Sequence, residues 1–206
     1  ARAAAAAALP RCSCDDADAP PPACPGNVVH RAHGERIRGG TRGGVPDVDP
    51  DGRGARARVV MLMLTPGPAD GGAQMTNILS PTTNSDQSAL NLRTLMGEAG
   101  LAESACIFWN AVPWALERRR DPTTAELERG IGYLKEFLVL LPERRAVVAL
   151  CQVAQRACAL ADVQAIQVPS PSPLAVAAPG PRPNSKSERW IRLRDGLKQA
   201  ARVASP

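Results

Sequence analysis

The chain has 206 residues, a length that fits one ordinary domain with or without a tail. Apolar residues make up 44% of the sequence but aromatic residues only 3%, so a core must be built mainly from Ala, Val, Leu and Ile. No run approaches about 18 apolar residues, which predicts no membrane-spanning helix. The net charge of +5 fits a polyanionic partner such as nucleic acid, although a general bias towards Arg would give the same charge.

The first 26 residues combine an Ala run with the segment DDADAPPPACPG, a low-complexity composition that predicts a disordered tail. A signal peptide is the alternative, but Ala is a weak residue for its apolar region and no clear cleavage site follows. We therefore expect one domain over residues 27–206.

Three of the six cysteines lie in this tail and three lie in apolar segments, and none forms a C-x-x-C pair. This spacing disfavours zinc and iron–sulfur sites. We expect Cys106, Cys151 and Cys158 to be buried free thiols in a protein of the reducing cytoplasm.

Four short apolar runs alternate with four helical patterns from Arg58 onwards. The predicted strands are 58–64, 105–110, 146–150 and 163–168. The predicted helices are 85–100, 123–141, 152–161 and 187–204. Thr123 and Glu126 have the spacing of a capping box, Gly100 is a helix stop, and Pro142 ends the second helix.

Such alternation predicts an α/β fold: a three-layer α/β/α domain with a central, mainly parallel four-stranded sheet. Ligands of open parallel sheets bind beyond the carboxyl ends of the strands. Four segments should therefore converge there: 65–70, 110–114, 151–152 and 169–174.

Three of these segments have unusual compositions. Gly67 lies between two prolines after a strand, where glycine permits close approach of another molecule. Asn110 ends a predicted strand, although Asn is disfavoured in strands. Its side-chain amide offers donors and an acceptor for the edge of a base. The Pro/Ser-rich segment 168–175 could present amides and hydroxyls to a phosphate. Taken singly, each segment is also explained by a structural turn, a local cap or a rigid linker.

Together and in this order, the segments resemble the uracil-DNA glycosylase superfamily. The corresponding stretches are LTPGP (64–68), FWNAVPW around Asn110, and SPSPL (170–174). The resemblance is greatest to the bacterial glycosylase-like branch, through VPDVDP (45–50), NSDQSALN (84–91) and WNAVPW (109–114). It covers roughly residues 27–203.

The resemblance implies that the protein flips a damaged base out of DNA and hydrolyses its N-glycosidic bond. The implied base-binding residues are Asn110, Pro66, Gly67 and Asn84. The implied DNA-binding residues are Pro171, Ser172, Pro173 and Leu174, the last as an apolar wedge in the space left by the base. No metal or organic cofactor is expected, and we expect a monomer.

Two positions depart from the family pattern. Leu64 and Thr65 stand where many members have a carboxylate or Asn that orients water, and Ser170 stands where most have a His that stabilises the departing base. Asp86 is the nearest substitute acid, although a charge at a helix start explains it equally well. The candidate catalytic residues are therefore Asp86, Thr65 and Ser170.

Three functions remain open from the sequence. The first is a glycosylase for uracil or a related deaminated base, acting in base excision repair. The second is a protein of the same fold that binds DNA lesions with little or no turnover. The third is an unrelated α/β enzyme for a phosphorylated small molecule, which the lack of G-x-G-x-x-G and G-x-x-x-x-G-K-[ST] motifs disfavours.

Overall fold

The computed structural model describes residues 47–48, 54–66, 78–79, 86–116, 120–176 and 187–205. The strands are β1 (Asp47–Val48), β2 (Val59–Met63), β3 (Ile78–Leu79), β4 (Cys106–Asn110), β5 (Ala146–Ala149) and β6 (Ile166–Gln167). The helices are α1 (Gln87–Ala99), α2 (Thr124–Val139), α3 (Gln152–Ala161), α4 (Pro173–Val176) and α5 (Glu188–Ala204). Short 3₁₀ turns precede β2 and β4, at Gly54–Arg56 and Glu103–Ala105.

Four strands form one parallel sheet in the order β4-β2-β5-β6. The chain passes from β2 to β4 on one side and then crosses back to β5 on the other, so the order reverses at β2. Crossovers in opposite directions place helices on opposite faces, as right-handed connections require. The predicted three-layer α/β/α fold is confirmed.

Each face of the sheet has its own apolar cluster. On one face, α1 and α5 cover Met61 and Phe108; on the other, α2 and α3 cover Leu62 and Trp109. The two sets alternate along each strand, as the period of two requires. Because both faces are covered, the strands contain almost only apolar residues, which is why they were recognisable in the sequence.

The helix ends follow the predicted signals. Gly100 adopts φ 66 after α1, the left-handed conformation that favours glycine. Thr123 and Glu126 form a complete capping box at the start of α2. Arg120 donates two hydrogen bonds of 2.7 Å to Glu126, and this pairing lowers the pKa of Glu126 to about 2.

The last strand is shorter than predicted, and two strands were not predicted. Asp162 adopts the left-handed conformation with φ 58, and the Val163 amide donates to the Cys158 carbonyl. Residues 162–163 therefore close α3, and β6 pairs only at Ile166 and Gln167. The strands β1 and β3 form a separate parallel pair of two residues each, too short for any recognisable pattern.

The thiols of the described residues are free. Cys106 and Cys158 are buried as predicted, whereas Cys151 is half-buried. Burial raises the pKa of Cys106 to about 12 and that of Cys158 to about 11. The predicted tail, residues 1–26, lies outside the described residues. Among the described helices, none combines the length and hydropathy that a bilayer span requires.

Candidate active site

Pairing between β2 and β4 continues past the ends of both strands. Met63 is opposite Asn110, the Ala111 amide donates to the Met63 carbonyl at 2.8 Å, and the Val112 amide donates to the Leu64 carbonyl at 3.0 Å. The start of the first predicted segment, at Thr65 and Pro66, therefore lies beside the second segment at the carboxyl edge of the sheet. Just beyond this ladder, Thr65 is half-buried and Pro66 is buried.

Asn110 ends β4 with no exposed surface at all. Neither its Nδ2 nor its Oδ1 has a hydrogen-bond partner among the described residues. Across that part of the chain, just one other buried side-chain atom lacks a partner, and it is Nε1 of the neighbouring Trp109. An unpaired buried polar group costs about 1–3 kcal/mol, so native proteins rarely contain one without a reason. The unpaired atoms are thus concentrated at the end of one strand.

The alternation of side chains places Asn110 and Trp109 on opposite faces of the sheet. Asn110 follows Phe108 in the period of two and so points to the face that α1 and α5 cover. Trp109 lies on the other face, where its ring stacks on Phe137 at 4.2 Å between centroids and 13° between planes. The stack holds the end of β4 from behind, while the Asn110 amide faces the α1 side.

Helix α2 fixes the turn that follows Asn110. A Cβ atom at Gly130 would collide with the carbonyl oxygen of Ala111, so the helix approaches the turn as closely as only glycine permits. At the other end of the turn, Trp114 contacts Tyr133 edge-to-face at 6.3 Å and the Arg129 guanidinium lies 5.2 Å from the Trp114 ring centroid. The backbone that presents Asn110 is therefore held on both sides.

The Pro/Ser-rich segment after β6 is held by side chains from two helices. The Gln155 side chain of α3 donates to the Val168 carbonyl at 2.9 Å. The Asn91 side chain of α1 donates to the carbonyl of buried Pro171, also at 2.9 Å. Since α1 packs on the face to which Asn110 points, this bond brings the segment to the same side of the sheet as the Asn110 amide.

Within this segment, the two serines and the leucine have distinct environments. Ser170 and Ser172 are half-buried, and the Ser172 amide donates to Ser170 Oγ at 3.2 Å. Pro173 is exposed and begins the short helix α4. Leu174 is 92% exposed, the highest value among the large apolar side chains of the described residues.

Asp86 is the N-cap of α1 and is exposed. Its Oδ1 accepts hydrogen bonds from the amides of Ser88 at 2.9 Å and Ala89 at 3.1 Å. Of the two interpretations of Asp86, the structure shows the helix-start one, and a catalytic role stays a prediction. Gly67 and Asn84, two of the predicted base-binding residues, lie outside the described residues.

A sequence model of the uracil DNA glycosylase superfamily matches residues 54–194, more than half of the chain. The chain belongs to this superfamily. No curated protein matches it closely enough to serve as a named relative. Superfamily membership gives the protein a DNA-glycosylase-like function in general, with DNA as its substrate.

Membership in the glycosylase superfamily accounts for the segments that converge, but not for the residues that hold them. Four helix residues that support the site were not predicted as site residues. Polar residues on an amphipathic helix are normally solvated, which explains why Gln87, Asn91 and Gln155 were missed. The close approach of Gly130 to Ala111 has no sequence pattern. Only Asn91 carried a signal, as the last residue of NSDQSALN. In the described ranges, no cluster of three His, Cys, Asp or Glu side chains could hold a metal ion.

Proposed function

We propose that this glycosylase-superfamily protein removes uracil or a related deaminated base from DNA in base excision repair. The observation that carries the proposal is the Asn110 amide, which is fully buried and unpaired among the described residues. A donor and an acceptor held without partners in a desolvated position are arranged to be completed by a ligand. Two hydrogen bonds from these buried groups add to the binding energy of a base that fits.

The edge of uracil complements this amide. Its O4 accepts a hydrogen bond and its N3–H donates one, so Asn110 Nδ2 and Oδ1 can engage both at once. Within a duplex this edge is turned towards the opposite base and cannot reach a side chain inside the protein. The base must therefore leave the helix, and exposed Leu174 is suited to occupy the gap that it leaves.

Ser170 is proposed to assist the departing base in place of the usual His. The Ser172 amide donates to Ser170 Oγ, which fixes the oxygen and leaves the hydroxyl proton for another acceptor. Directed at a carbonyl oxygen of the base, this proton would stabilise the anion that forms as the bond breaks. Thr65, half-buried at the end of β2, is proposed to orient the attacking water. Loss of one such donor typically costs about 100-fold or more in rate, so slow turnover is expected where Ser170 replaces the His.

The second candidate function is a lesion-binding protein with little turnover, and the positions of the carboxylates near the site favour it. No carboxylate stands at Leu64 or Thr65, and Asp86 Oδ1 accepts hydrogen bonds from the first amides of α1. In the part of the chain that the structure describes, a water beside Thr65 would lack the carboxylate that the family pattern places at positions 64 and 65. Recognition through Asn110 and the Pro/Ser-rich segment would be retained in this alternative.

The test uses a labelled uracil-containing oligonucleotide, incubated with the full chain and then treated with alkali to cleave abasic sites. We expect cleavage at uracil that falls at least 100-fold in Asn110→Ala. Gln164→Ala, an exposed amide away from the site, is the matched control and should cleave normally. Retarded mobility of the oligonucleotide without cleavage would favour the binding protein. Absence of both binding and cleavage would refute the two proposals together.

A further inference from the structure

The segment Asp86–Asn91 links the start of α1 to the loop formed by residues 169–173. We infer that Asn91 is a positioning residue: together with Gln87, it holds the 169–173 loop in the conformation that receives DNA phosphates. The role of the loop towards DNA rests on the proposed function, whereas the positioning itself rests on hydrogen bonds within the protein. This positioning role also explains the DQSALN stretch (86–91) without assigning a catalytic acid to it.

The orientation of the Asn91 amide is determined by its two partners. The Pro171 carbonyl can only accept, so the Nδ2 group of Asn91 must face it, and the bond is 2.9 Å long. Oδ1 then faces the opposite way, where Gln87 Nε2 donates to it at 3.0 Å. The two residues are four apart on one helix, the spacing at which such side chains meet. Gln87 thus reduces the freedom of Asn91 to turn its amide away from the loop.

Helix α1 is a fixed support for this pair. Asp86 caps its first turn, and the buried residues Leu92, Leu95 and Met96 pack it against the sheet. Asn91, half-buried between the cap and this apolar face, therefore has little room to move. Functional groups held by packed helices are placed more accurately than those held by loops alone.

The 169–173 loop needs such support because prolines occupy three of its five positions. Proline has no N–H group, so the loop cannot donate backbone hydrogen bonds at those residues. Pro171 is buried, and its carbonyl would lose water without gaining a partner if Asn91 were removed. A loop that is already ordered binds DNA without first losing conformational freedom.

The experiment measures hydrogen exchange of the full chain together with its affinity for DNA. Asn91→Asp keeps the shape and the acceptor for Gln87 but has no donor for Pro171, and Asn91→Ala removes the amide without adding charge. We expect the peptide covering 170–176 to exchange about tenfold faster in both variants, with the sheet unchanged. In both Asn91 variants, the affinity for a duplex with a tetrahydrofuran abasic-site analogue should fall about tenfold. In Gln87→Ala, this affinity should fall about threefold.

Thr94→Ala is the control, because the Thr94 hydroxyl donates only to the Leu90 carbonyl of its own helix. In the two Asn91 variants, KM for a uracil substrate should rise about tenfold. Their kcat should fall less than threefold, because bound DNA reorders the loop at saturation. Unchanged exchange at 170–176 in both Asn91 variants, or faster exchange throughout α1 and the sheet, would overturn the inference. If the wild type does not bind the duplex but its variants show the local exchange change, the proposed function fails and the positioning role stands.

Discussion

Replacing Asn110 by Leu should stabilise the protein while it abolishes base recognition. Leu has nearly the shape of Asn but no polar atoms, so it fits the same fully buried position without leaving a donor and an acceptor unpaired. Each unpaired group costs about 1–3 kcal/mol. Taking about 1 kcal/mol for each of the two atoms gives a gain of about 2 kcal/mol in the free energy of unfolding, before any contribution from the added apolar surface.

The gain is measurable by urea unfolding and by thermal melting. A change of about 1 kcal/mol shifts the Tm of a protein of this size by about 2–4 °C, so Asn110→Leu should raise the Tm by about 4–8 °C. Asn91→Leu is the matched control: it is the same substitution at an amide that has two partners, and it should lower the Tm. A natural binding site is commonly less stable than an apolar version of itself.

The result that would refute this reasoning is a lower or unchanged Tm for Asn110→Leu in a variant that still folds. The Asn110 amide would then have hydrogen-bond partners in the free protein, and new bonds to a base would add little to binding. A rise in Tm together with undiminished cleavage of uracil would refute the other half of the argument, the assignment of Asn110 to base recognition.

Three further predictions concern the support of the site and the chemistry of buried groups. Gly130→Ala should lower the Tm by at least about 4 °C, because its Cβ meets the Ala111 carbonyl, whereas Gly132→Ala, with open space around it, should leave the Tm unchanged or raise it. Glu126→Gln should lower the Tm at pH 7, because it removes a carboxylate whose pKa falls from 4.5 to about 2 on folding. The wild type loses the stabilisation that this shift provides as the pH falls between these two values. Melting curves of the wild type and the variant should therefore converge as the pH approaches 2. Cys106, whose pKa burial raises to about 12, should resist iodoacetamide at pH 8 until urea unfolds the chain, as peptide mapping by mass spectrometry would show; labelling in the folded state would contradict its burial.

The sheet and its helices were predictable because local patterns and tertiary packing agree in this chain. The run around Val59–Met63 is buried on both faces and so is continuously apolar, and Thr123 and Glu126 cap α2 by a local rule. The prediction failed where the outcome depended on a few atoms: Val163 completes α3 instead of starting β6, because its amide reaches the Cys158 carbonyl.

Within the candidate site, the sequence identified the residue that departs from the composition of its strand, but not the supporting residues whose types are ordinary for their positions. Asn110 was conspicuous as a polar residue at the end of an apolar strand. Asn91 belonged to the NSDQSALN stretch, but its contact could not be predicted, because its partner Pro171 lies 80 residues away along the chain and an exposed helix face would contain the same kind of residue. The close approach of Gly130 to Ala111 is likewise a matter of three-dimensional distance, which no spacing in the sequence reports.

The ladder that joins Met63 to Ala111 and Leu64 to Val112 is made entirely of main-chain groups. Every residue type except proline can supply such an amide, and every residue supplies the carbonyl. Side-chain chemistry at this rim can therefore be exchanged without altering the backbone that presents it. A substitution such as Thr65→Asp would therefore add a carboxylate at this rim while the backbone that presents Asn110 is retained.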